Sequence, residues 1–534
     1  MARSASFWLV ILAINLSSFL ALMEGVLLSA TLTILSNALP TIVDSLSDGN
    51  TYVWVGSAYN IACAAFMPAT GALAQAFGRK SVALVSITLF SLGCAICGAT
   101  TSMTMLIIGR TVQGLGGAGI FTTSAIILSD LVPLSERGLF NGLYQITWCL
   151  ASAIGPVVGG ALSQAGQWRW VFYLNLPLAL VTAVLVLMCL HLKTPKRTRE
   201  EIMHLMDWTG NFLIISCSTS IAIALTWAGT TYDWSSWHVL VPLCIGSVGL
   251  AAFFLYEFRL AEKPLVPVGL MGNRTTLSGY LQTFIVPVPF LALAYYMPLY
   301  FQVCKGFSPI KSGVQLLGLA LLGPPFAIIA GISVKVTQRY RLQIWLGWIT
   351  VITGMGLLGS TTSTTPVGTV IGFEIIAGAG FGVVFSSLYF PVLAPLPISS
   401  NALALAFFSF LRVFAQIWGI TIGGTILQNQ LIEKFPQQLL TQFSLQGDVV
   451  FNVIPLLQEL EEPLLGEVRA AFASSLQRIW QVMAGISGLG LLISFSMQHM
   501  SLHTSVDSDW GTVERQGLAD KESEPKVGHA APTG

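Results

Sequence analysis

Long runs of apolar residues, separated by short polar segments, make up most of this chain. A helix needs about 20 mainly apolar residues to cross the hydrocarbon core of a bilayer, and fourteen runs supply them. The runs are continuous rather than alternating, which excludes a transmembrane barrel. The pattern predicts an all-α polytopic membrane protein with 14 transmembrane helices. The predicted spans are 7–38, 52–74, 81–99, 103–128, 140–163, 169–192, 208–228, 238–258, 277–301, 311–334, 343–361, 367–391, 401–428 and 477–498.

The loops between the spans predict how the chain lies in the membrane. Thirteen basic residues lie in the short loops that follow even-numbered spans, against three in the opposite short loops, Arg169, Lys305 and Lys311. Basic residues collect in cytoplasmic loops, and an even number of spans puts both ends on one side. We therefore expect both termini in the cytoplasm, with the plasma membrane as the resident membrane and the vacuolar membrane as the alternative.

Two segments lie outside the predicted spans. Residues 429–476 form one long outer loop, and the spacing of leucine and valine over 456–479 indicates a helix along the outer membrane interface. Residues 499–534 are polar and mixed in charge, with few apolar side chains. That composition is typical of a disordered segment, here a cytoplasmic tail.

Composition narrows the functional class. Hydrophobic residues make up 54% of the chain and charged residues 9%, where soluble domains carry about 25% charged residues. A net charge of +1 argues against nucleic acid as a partner. Cys94 and Cys97 form a C-x-x-C pair, but on an apolar helix, which favours packing over redox or zinc chemistry. No loop combines a nucleophile with a base, or several metal ligands, so neither an enzyme nor a cofactor is expected.

One arginine lies inside an apolar, glycine-rich stretch, residues 106–117. A charge such as Arg110 within lipid is costly and by default marks an ion or substrate path, so a coupling role is favoured over packing alone. Residues 114–119 also fit the dinucleotide pattern G-x-G-x-x-G, but no strand precedes them and they continue an apolar helix. Close packing of helices at Gly114 explains these glycines better.

A second motif lies in span five. Small residues four apart around a proline allow two helices to approach closely and to bend. The residues are Gly155, Pro156, Gly159 and Gly160.

A third motif joins spans two and three. Its glycines allow a tight turn, and its basic pair lies at the predicted cytoplasmic surface. The residues are Gly71, Gly78, Arg79 and Lys80.

In this order and at these positions the motifs resemble the major facilitator superfamily, and within it the fourteen-span drug–proton antiporter branch that is common in fungi. Segments 168–177, 207–210 and 410–412 match as well. The resemblance implies two six-helix bundles with two extra spans between them. We assign the bundles to 1–192 and 277–498, and the two extra spans to 193–276. It also implies alternating access around a midplane cavity and export of small organic molecules against proton entry.

The chain departs from the family pattern at two places. Gln75 stands where an aspartate is usual, which implies a weaker latch on the outward-facing state. In span one, seven extra residues, 26–32, separate Glu24 and Gly25 from the matching segment 33–40. They are either a genuine insertion or an artefact of the gene model. A genuine insertion makes this span 32 residues long, which requires tilt or a break at Gly25.

Ionisable residues inside the spans are the candidate functional residues. Glu24 is the candidate proton carrier, because a carboxyl in a dry helix can bind and release a proton as access changes. The alternative, a static partner for Arg110, stays open. In the carboxyl half, Glu374 and Arg412 either pair with each other or line the substrate cavity. The remaining cavity candidates are Tyr59, Gln113, Trp148 and Tyr295.

The sequence thus predicts a proton-coupled efflux transporter for small hydrophobic or amphipathic molecules, such as a drug, toxin or secondary metabolite. It is expected to act as a monomer, with the substrate, protons and lipid as its partners and the proton gradient as its energy source. Uptake of a nutrient such as a siderophore or an amino acid is the alternative. A non-transporting membrane sensor is a further alternative, which would tolerate loss of Glu24 and Arg110.

Overall fold

The computed structural model describes residues 5–23, 53–191, 198, 200–201, 206–229, 231–266, 272–435 and 462–502. Nearly all of these residues are helical, with short connections between the helices. The bilayer core offers no water to hydrogen-bond the backbone, and a helix satisfies its own amide and carbonyl groups within one segment. The long apolar runs therefore fold as helices.

In the amino half, by which we mean residues 5–191, the structure describes seven helices. They are α1 (Ala5–Met23), α2 (Val53–Phe77), α3 (Arg79–Gly98), α4 (Met103–Leu131), α5 (Leu134–Gln164), α6 (Trp170–Tyr173) and α7 (Asn175–Cys189). Two further helices, α8 (Trp208–Trp227) and α9 (Trp237–Arg259), pack against each other and follow the amino half along the chain.

The carboxyl half, residues 272–502, contains the other described helices. They are α10 (Arg274–Ile285), α11 (Pro287–Lys305), α12 (Pro309–Gln315), α13 (Leu317–Thr337), α14 (Arg341–Leu358), α15 (Val367–Ser387), α16 (Tyr389–Leu393), α17 (Asn401–Lys434) and α18 (Leu464–Ser494). A short 3-10 turn at Ile398–Ser400 precedes α17.

Twelve helical segments among the described residues are long and apolar enough to cross a membrane. The predicted count of fourteen is therefore not confirmed. The two predicted spans outside this set are α2 and α5, which are long, at 25 and 31 residues, but carry polar side chains such as Asn60 and Asn141. Both pack against several other helices, and a helix that faces protein does not need an apolar surface all round.

Three spans of the carboxyl half consist of two helices in line. α10 and α11 meet at Val286, α12 and α13 at Leu316, and α15 and α16 at Leu388. Proline has no backbone N–H to continue a helical ladder, and Pro287 directly follows the first of these breaks. The interruptions divide each span into segments that can tilt separately.

The last helix begins earlier than the sequence predicted. α18 runs without interruption from Leu464 to Ser494, whereas we expected an interfacial helix over 456–479 and a span from residue 477. Its first turns are not on a membrane surface, because Val468 and Phe472 are fully buried. The leucine and valine spacing therefore reports packing inside the protein from Leu464 onward.

Close helix contacts hold the amino half together. α4 packs against α2 and α3, and a Cβ atom added at Gly116 would lie 2.7 Å from the Cα atom of Phe90. Such contacts leave no room for a methyl group, which agrees with the packing interpretation of residues 114–119. The two halves meet mainly along two helix pairs, α5 with α13 and α2 with α17.

Candidate functional site

Arg110 lies deep inside the amino half, on α4, and is 1% exposed. Its Nε atom donates to the carbonyl oxygen of Val55 at 3.0 Å, and Nη1 donates to Oε1 of Gln113 at 2.7 Å. The guanidinium carbon lies 4.7 Å from the centre of the Tyr59 ring. A buried charge must be hydrogen-bonded or paired, and this cluster of carbonyl, amide and ring supplies such contacts.

Tyr59 and Gln113 therefore belong to the surroundings of Arg110. The Tyr59 hydroxyl donates to the carbonyl oxygen of Ala21 at 3.2 Å, and Nε2 of Gln113 lies 3.0 Å from Sγ of Cys94. Both side chains are buried. In this conformation they are enclosed among helices α1 to α4, and their contact with a substrate stays a prediction.

Glu374 and Arg412 do not pair. Glu374 of α15 is fully buried, and neither of its carboxyl oxygens has a hydrogen-bond partner in the described part of the chain. It packs against Gly318 of α13, where an added Cβ atom would lie 2.6 Å from Oε2. Arg412 instead donates from Nη1 to the hydroxyl of Tyr389 at 3.2 Å. Of the two alternatives that the sequence left open, mutual pairing is wrong.

Arg412 is half-buried on α17, one of the helices through which the halves meet. Its guanidinium carbon lies 4.6 Å from the centre of the Phe385 ring and 5.6 Å from that of Phe408. Phe385 contacts Phe290 of α11 at 5.2 Å, and Phe290 contacts Trp148 of α5 at 5.0 Å, both between ring centres. Aromatic contacts thus cross from the carboxyl half to the amino half beside a cation.

Tyr295 lies farther along α11 than Phe290. It is half-buried, and its ring centre lies 5.0 Å from that of Tyr296. Of the predicted cavity residues, the structure therefore brings Trp148 and Arg412 to one aromatic surface. Tyr59 and Gln113 surround Arg110, and Glu374 lies apart from both groups.

The two halves are in close contact at one end of the helices. The cationic side chains at this end include Arg79, Lys80, Arg137, Lys335 and Arg339, and we call it the basic end. A Cβ atom added at Gly138 of α5 would lie 2.7 Å from the Cα atom of Gly331 of α13. A Cβ atom added at Gly71 of α2 would overlap the Cβ atom of Ala406 of α17. Both helix pairs between the halves are therefore joined here through glycine.

The turn between α2 and α3 organises the amino half at the basic end. Gly78 has a φ angle of 88°, which glycine adopts without steric cost. Arg79 donates from Nε to Oδ2 of Asp130 at 3.0 Å, and both side chains are buried. Lys80 donates to the carbonyl oxygen of Leu187 at 2.7 Å. The motif thereby connects α3 to the ends of α4 and α7.

One ion pair crosses between the halves at the basic end. Nζ of Lys335 on α13 lies 3.2 Å from Oε1 of Glu136 on α5, and the two side chains are 50% and 28% exposed. Exposed pairs contribute about 0.2–1 kcal/mol, and a pair of like charges costs a similar amount. Lys335→Glu removes the attraction and adds a repulsion, so it should shift the ratio of open to closed molecules by no more than about 30-fold. Distances between spin labels on α5 and α13, measured by pulsed electron resonance, would report this ratio.

The control for this charge reversal is the double variant Lys335→Glu/Glu136→Lys, which restores the attraction with the signs exchanged. It should return the label distances to those of the unmodified protein. A single reversal with a much larger effect would show that the pair does more than an exposed contact can.

Some predicted features lie outside the described residues. These are Glu24, the extra segment 26–32, most of the outer loop and the tail from residue 503 onward. Pro156, Gly159 and Gly160 lie within α5, and Gly155 is buried there. The proposed role of Glu24 stays a prediction.

The sequence did not reveal several residues of these clusters. Asp130 was not predicted, and its one signal was its position at the end of the Arg110 span, on the same side as the turn that carries Arg79. Tyr389 and Phe385 carried no signal, because aromatic residues are common throughout such a chain. In the parts of the chain that the structure covers, no group of three or more His, Cys, Asp and Glu residues could hold a metal ion.

A multi-pass helical chain whose halves are closed at one end, with charged groups inside it and an aromatic surface between the halves, is organised as a membrane transporter. The family model of the Major Facilitator Superfamily matches residues 21–420. The chain belongs to this family, and the resemblance drawn from its motifs is confirmed.

Curated relatives match nearly the whole chain. The MFS-type efflux pump LUC4 of Fusarium sp. is 35% identical over 98% of this chain and 93% of its own length. The efflux pump FUS6 of Gibberella moniliformis is 35% identical over 96% and 92%. The acurin A biosynthesis cluster MFS-type transporter of Aspergillus aculeatus is 33% identical over 95% and 92%.

Solved structures share the fold at low identity. The human organic anion transporter MFSD10 (TETRAN) superposes with a TM-score of 0.59 at 13% identity, over 92% of this chain and 100% of that one. The proton:xylose symporter XylE gives 0.58 at 14% identity, over 94% and 99%. At this identity the comparison shows the fold alone.

Proposed function

We propose that this protein is a proton-coupled transporter that exports small hydrophobic or amphipathic organic molecules, such as a drug, toxin or secondary metabolite. The proposal depends mainly on the surface between the halves, where Trp148, Phe290 and Phe385 lie beside Arg412. Apolar and aromatic walls with few polar groups are typical of sites for small organic ligands. Relatives named efflux pumps, at 33–35% identity over nearly the whole chain, support export.

Alternating access would use the contact at the basic end. Parting Gly138 from Gly331 would open the aromatic surface toward the basic end, and closing the contact would leave access from the opposite end. Each of these glycines lies on a helix that joins the halves. The motion needed is therefore a rocking of one half against the other.

We further propose fourteen spans, with α2 and α5 added to the twelve apolar segments. Both termini then lie on one side, and the excess of basic residues assigns the basic end to the cytoplasm. In this arrangement 1–192 and 277–498 are the two bundles, 193–276 holds the linking spans and 499–534 is a cytoplasmic tail. The protein would act as a monomer in the plasma membrane.

Proton coupling would depend on Glu24 and Arg110. A fixed cation stabilises the ionised form of a nearby carboxyl, while burial favours the protonated form. The hydrogen bonds of Arg110 reach Val55 on α2 and Gln113 on α4, so a shift between these helices would move the cation. Protonation and helix movement would then be linked.

The proposal is tested in yeast cells that lack their own drug pumps. Cells that express the protein should accumulate several-fold less 1-pyrenebutanamide, a neutral hydrophobic fluorescent probe, than cells with an empty vector. A protonophore should abolish the difference, because the gradient is the only energy source. Higher accumulation in the expressing cells would indicate uptake instead, and an unchanged level would contradict the proposed function.

Glu24→Gln should remove the gradient dependence while leaving the protein in the membrane, since glutamine cannot carry the proton. In proteoliposomes the variant should still let the probe flow down its concentration gradient. Glu467→Gln, at an exposed acid of α18, is the matched control and should behave like the unmodified protein. Undiminished gradient-driven export by Glu24→Gln would rule out the carrier role.

A further inference from the structure

Arg412 is held by contacts that leave most of its hydrogen-bonding capacity unused. A guanidinium group has five N–H donors, and the hydrogen bond from Nη1 to the hydroxyl of Tyr389 uses one of them. The side chain is half-buried, and each of its nitrogen atoms is either hydrogen-bonded or exposed. The remaining donors are therefore accessible beside the aromatic contacts that join the halves.

Among the described residues, no carboxylate lies within ion-pair distance of Arg412. The buried acid of the same half, Glu374, precedes Phe385 by eleven residues on α15, which is about 16 Å along a helix axis. Phe385 itself lies under the guanidinium. Arg412 thus keeps its full positive charge at this point of the protein.

The groups around this cation are aromatic. Phe385 and Phe408 lie against the guanidinium, and the phenol of Tyr389 accepts its hydrogen bond. Rings stabilise a cation through their electron-rich faces, but they do not neutralise it. An anion that entered this space would find both an apolar wall and an uncompensated positive charge.

We propose that Arg412 selects the charge of the transported molecule, and that the site takes amphipathic molecules that carry one anionic group, such as a carboxylate on an aromatic body. This inference depends on the proposed export function. The body of the ligand would lie along Phe385, Phe290 and Trp148, and its anionic group would accept hydrogen bonds from the free guanidinium donors.

Physical chemistry sets the size and sign of the effect. Hydrogen bonds to a charged group are stronger than neutral ones, and the planar guanidinium can bind both oxygens of a carboxylate at once. Such bonds correspond to roughly a 10- to 100-fold gain in affinity. A cationic ligand meets like charge at the same position and should bind more weakly than a neutral one.

The test uses the purified full-length protein and three probes with the same body, 1-pyrenebutanoate, 1-pyrenebutanamide and a pyrenylbutyl-trimethylammonium. Binding is followed by pyrene emission excited through tryptophan. The unmodified protein should bind the anion at least about tenfold more tightly than the amide, and the amide more tightly than the cation. Arg412→Gln should bring the anion and the amide to about equal affinity.

Two further variants separate charge from structure. Arg412→Lys keeps the charge but not the planar donor pair, and should retain part of the preference for the anion. Arg478→Gln removes an exposed positive charge from α18, away from the site, and should leave all three affinities unchanged. Amide binding by Arg412→Gln reports that this variant still folds.

The outcomes distinguish this inference from the function on which it depends. If the unmodified protein binds the amide and does not bind the anion more tightly than the amide, charge selection by Arg412 is wrong. The same holds if Arg412→Gln keeps the preference for the anion. In both cases export can still hold. If the unmodified protein neither binds nor exports any of the three probes, the proposed function itself fails.

Discussion

Replacing Arg110 by glutamine should reduce gradient-driven export to the level of cells without the protein. The substitution removes a charge that is 1% exposed, together with the guanidinium N–H that donates to the carbonyl of Val55. Hydrogen bonds to a charged group contribute about 1.5–3 kcal/mol each. The loss of two should therefore lower export by at least about 100-fold. Export of the pyrene amide, normalised to the amount of protein in the membrane, is the measurement.

Arg110→Lys tests whether export needs only the positive charge at this position or also the geometry of the guanidinium group. Lysine keeps the charge, but a single ammonium cannot reproduce the fork that reaches Val55 and Gln113 from different nitrogens, so export should still fall by at least about tenfold. Arg137→Lys is the matched control, because Arg137 is also buried and donates to the carbonyls of Val132 and Ser129. It should lower thermal stability and leave gradient dependence intact. Equal loss of export in both lysine variants would mean that Arg110 is only a structural residue.

Gly138→Val should abolish export by preventing closure at the basic end. A Cβ atom at this position would lie 2.7 Å from the Cα atom of Gly331 and 2.9 Å from Cζ of Phe390, and real side chains essentially never come this close to a neighbour. Valine adds two methyl groups beyond that atom, so α5 and α13 must separate. Spin-label distances between these helices should increase, and export should fall to background.

The matched control is Gly372→Val on α15. A Cβ atom there meets nothing within 4 Å, yet the change in intrinsic helix preference is the same as at Gly138. This variant should keep the label distances and most of the export. Near-normal export by Gly138→Val would show that the transport cycle does not require the glycine contact.

Hydropathy predicted most helices because residues that face lipid must be apolar. The predicted span 343–361 corresponds to α14, Arg341–Leu358, and 81–99 corresponds to α3, Arg79–Gly98. The interruptions at Val286 and Leu388 were not predicted, because an apolar run stays apolar across a break. The early start of α18 was missed for the same reason, since burial in protein and contact with a membrane surface favour the same residues.

The sequence located the charged residues of the site better than their partners. Arg110 and Arg412 were visible as charges within apolar runs, which lipid makes conspicuous. The carbonyl of Val55 gave no signal, because every residue has one. The partner of Arg412 is the phenol of Tyr389, and nothing in the spacing distinguishes this tyrosine from others. A charged residue within an apolar run therefore indicates where a functional site lies. Its hydrogen-bond partners depend on how the helices pack.

The contact of Gly138 with Gly331 also bears on how tightly the pump is sealed. Dispersion attraction between packed atoms loses a quarter to a half of its strength when they part by only about 0.5–1 Å. A slightly parted interface therefore loses a substantial part of its cohesion, and such interfaces have discrete positions rather than a continuous range. The protein should spend almost no time in a partly closed conformation, and few protons should leak through it between transport cycles.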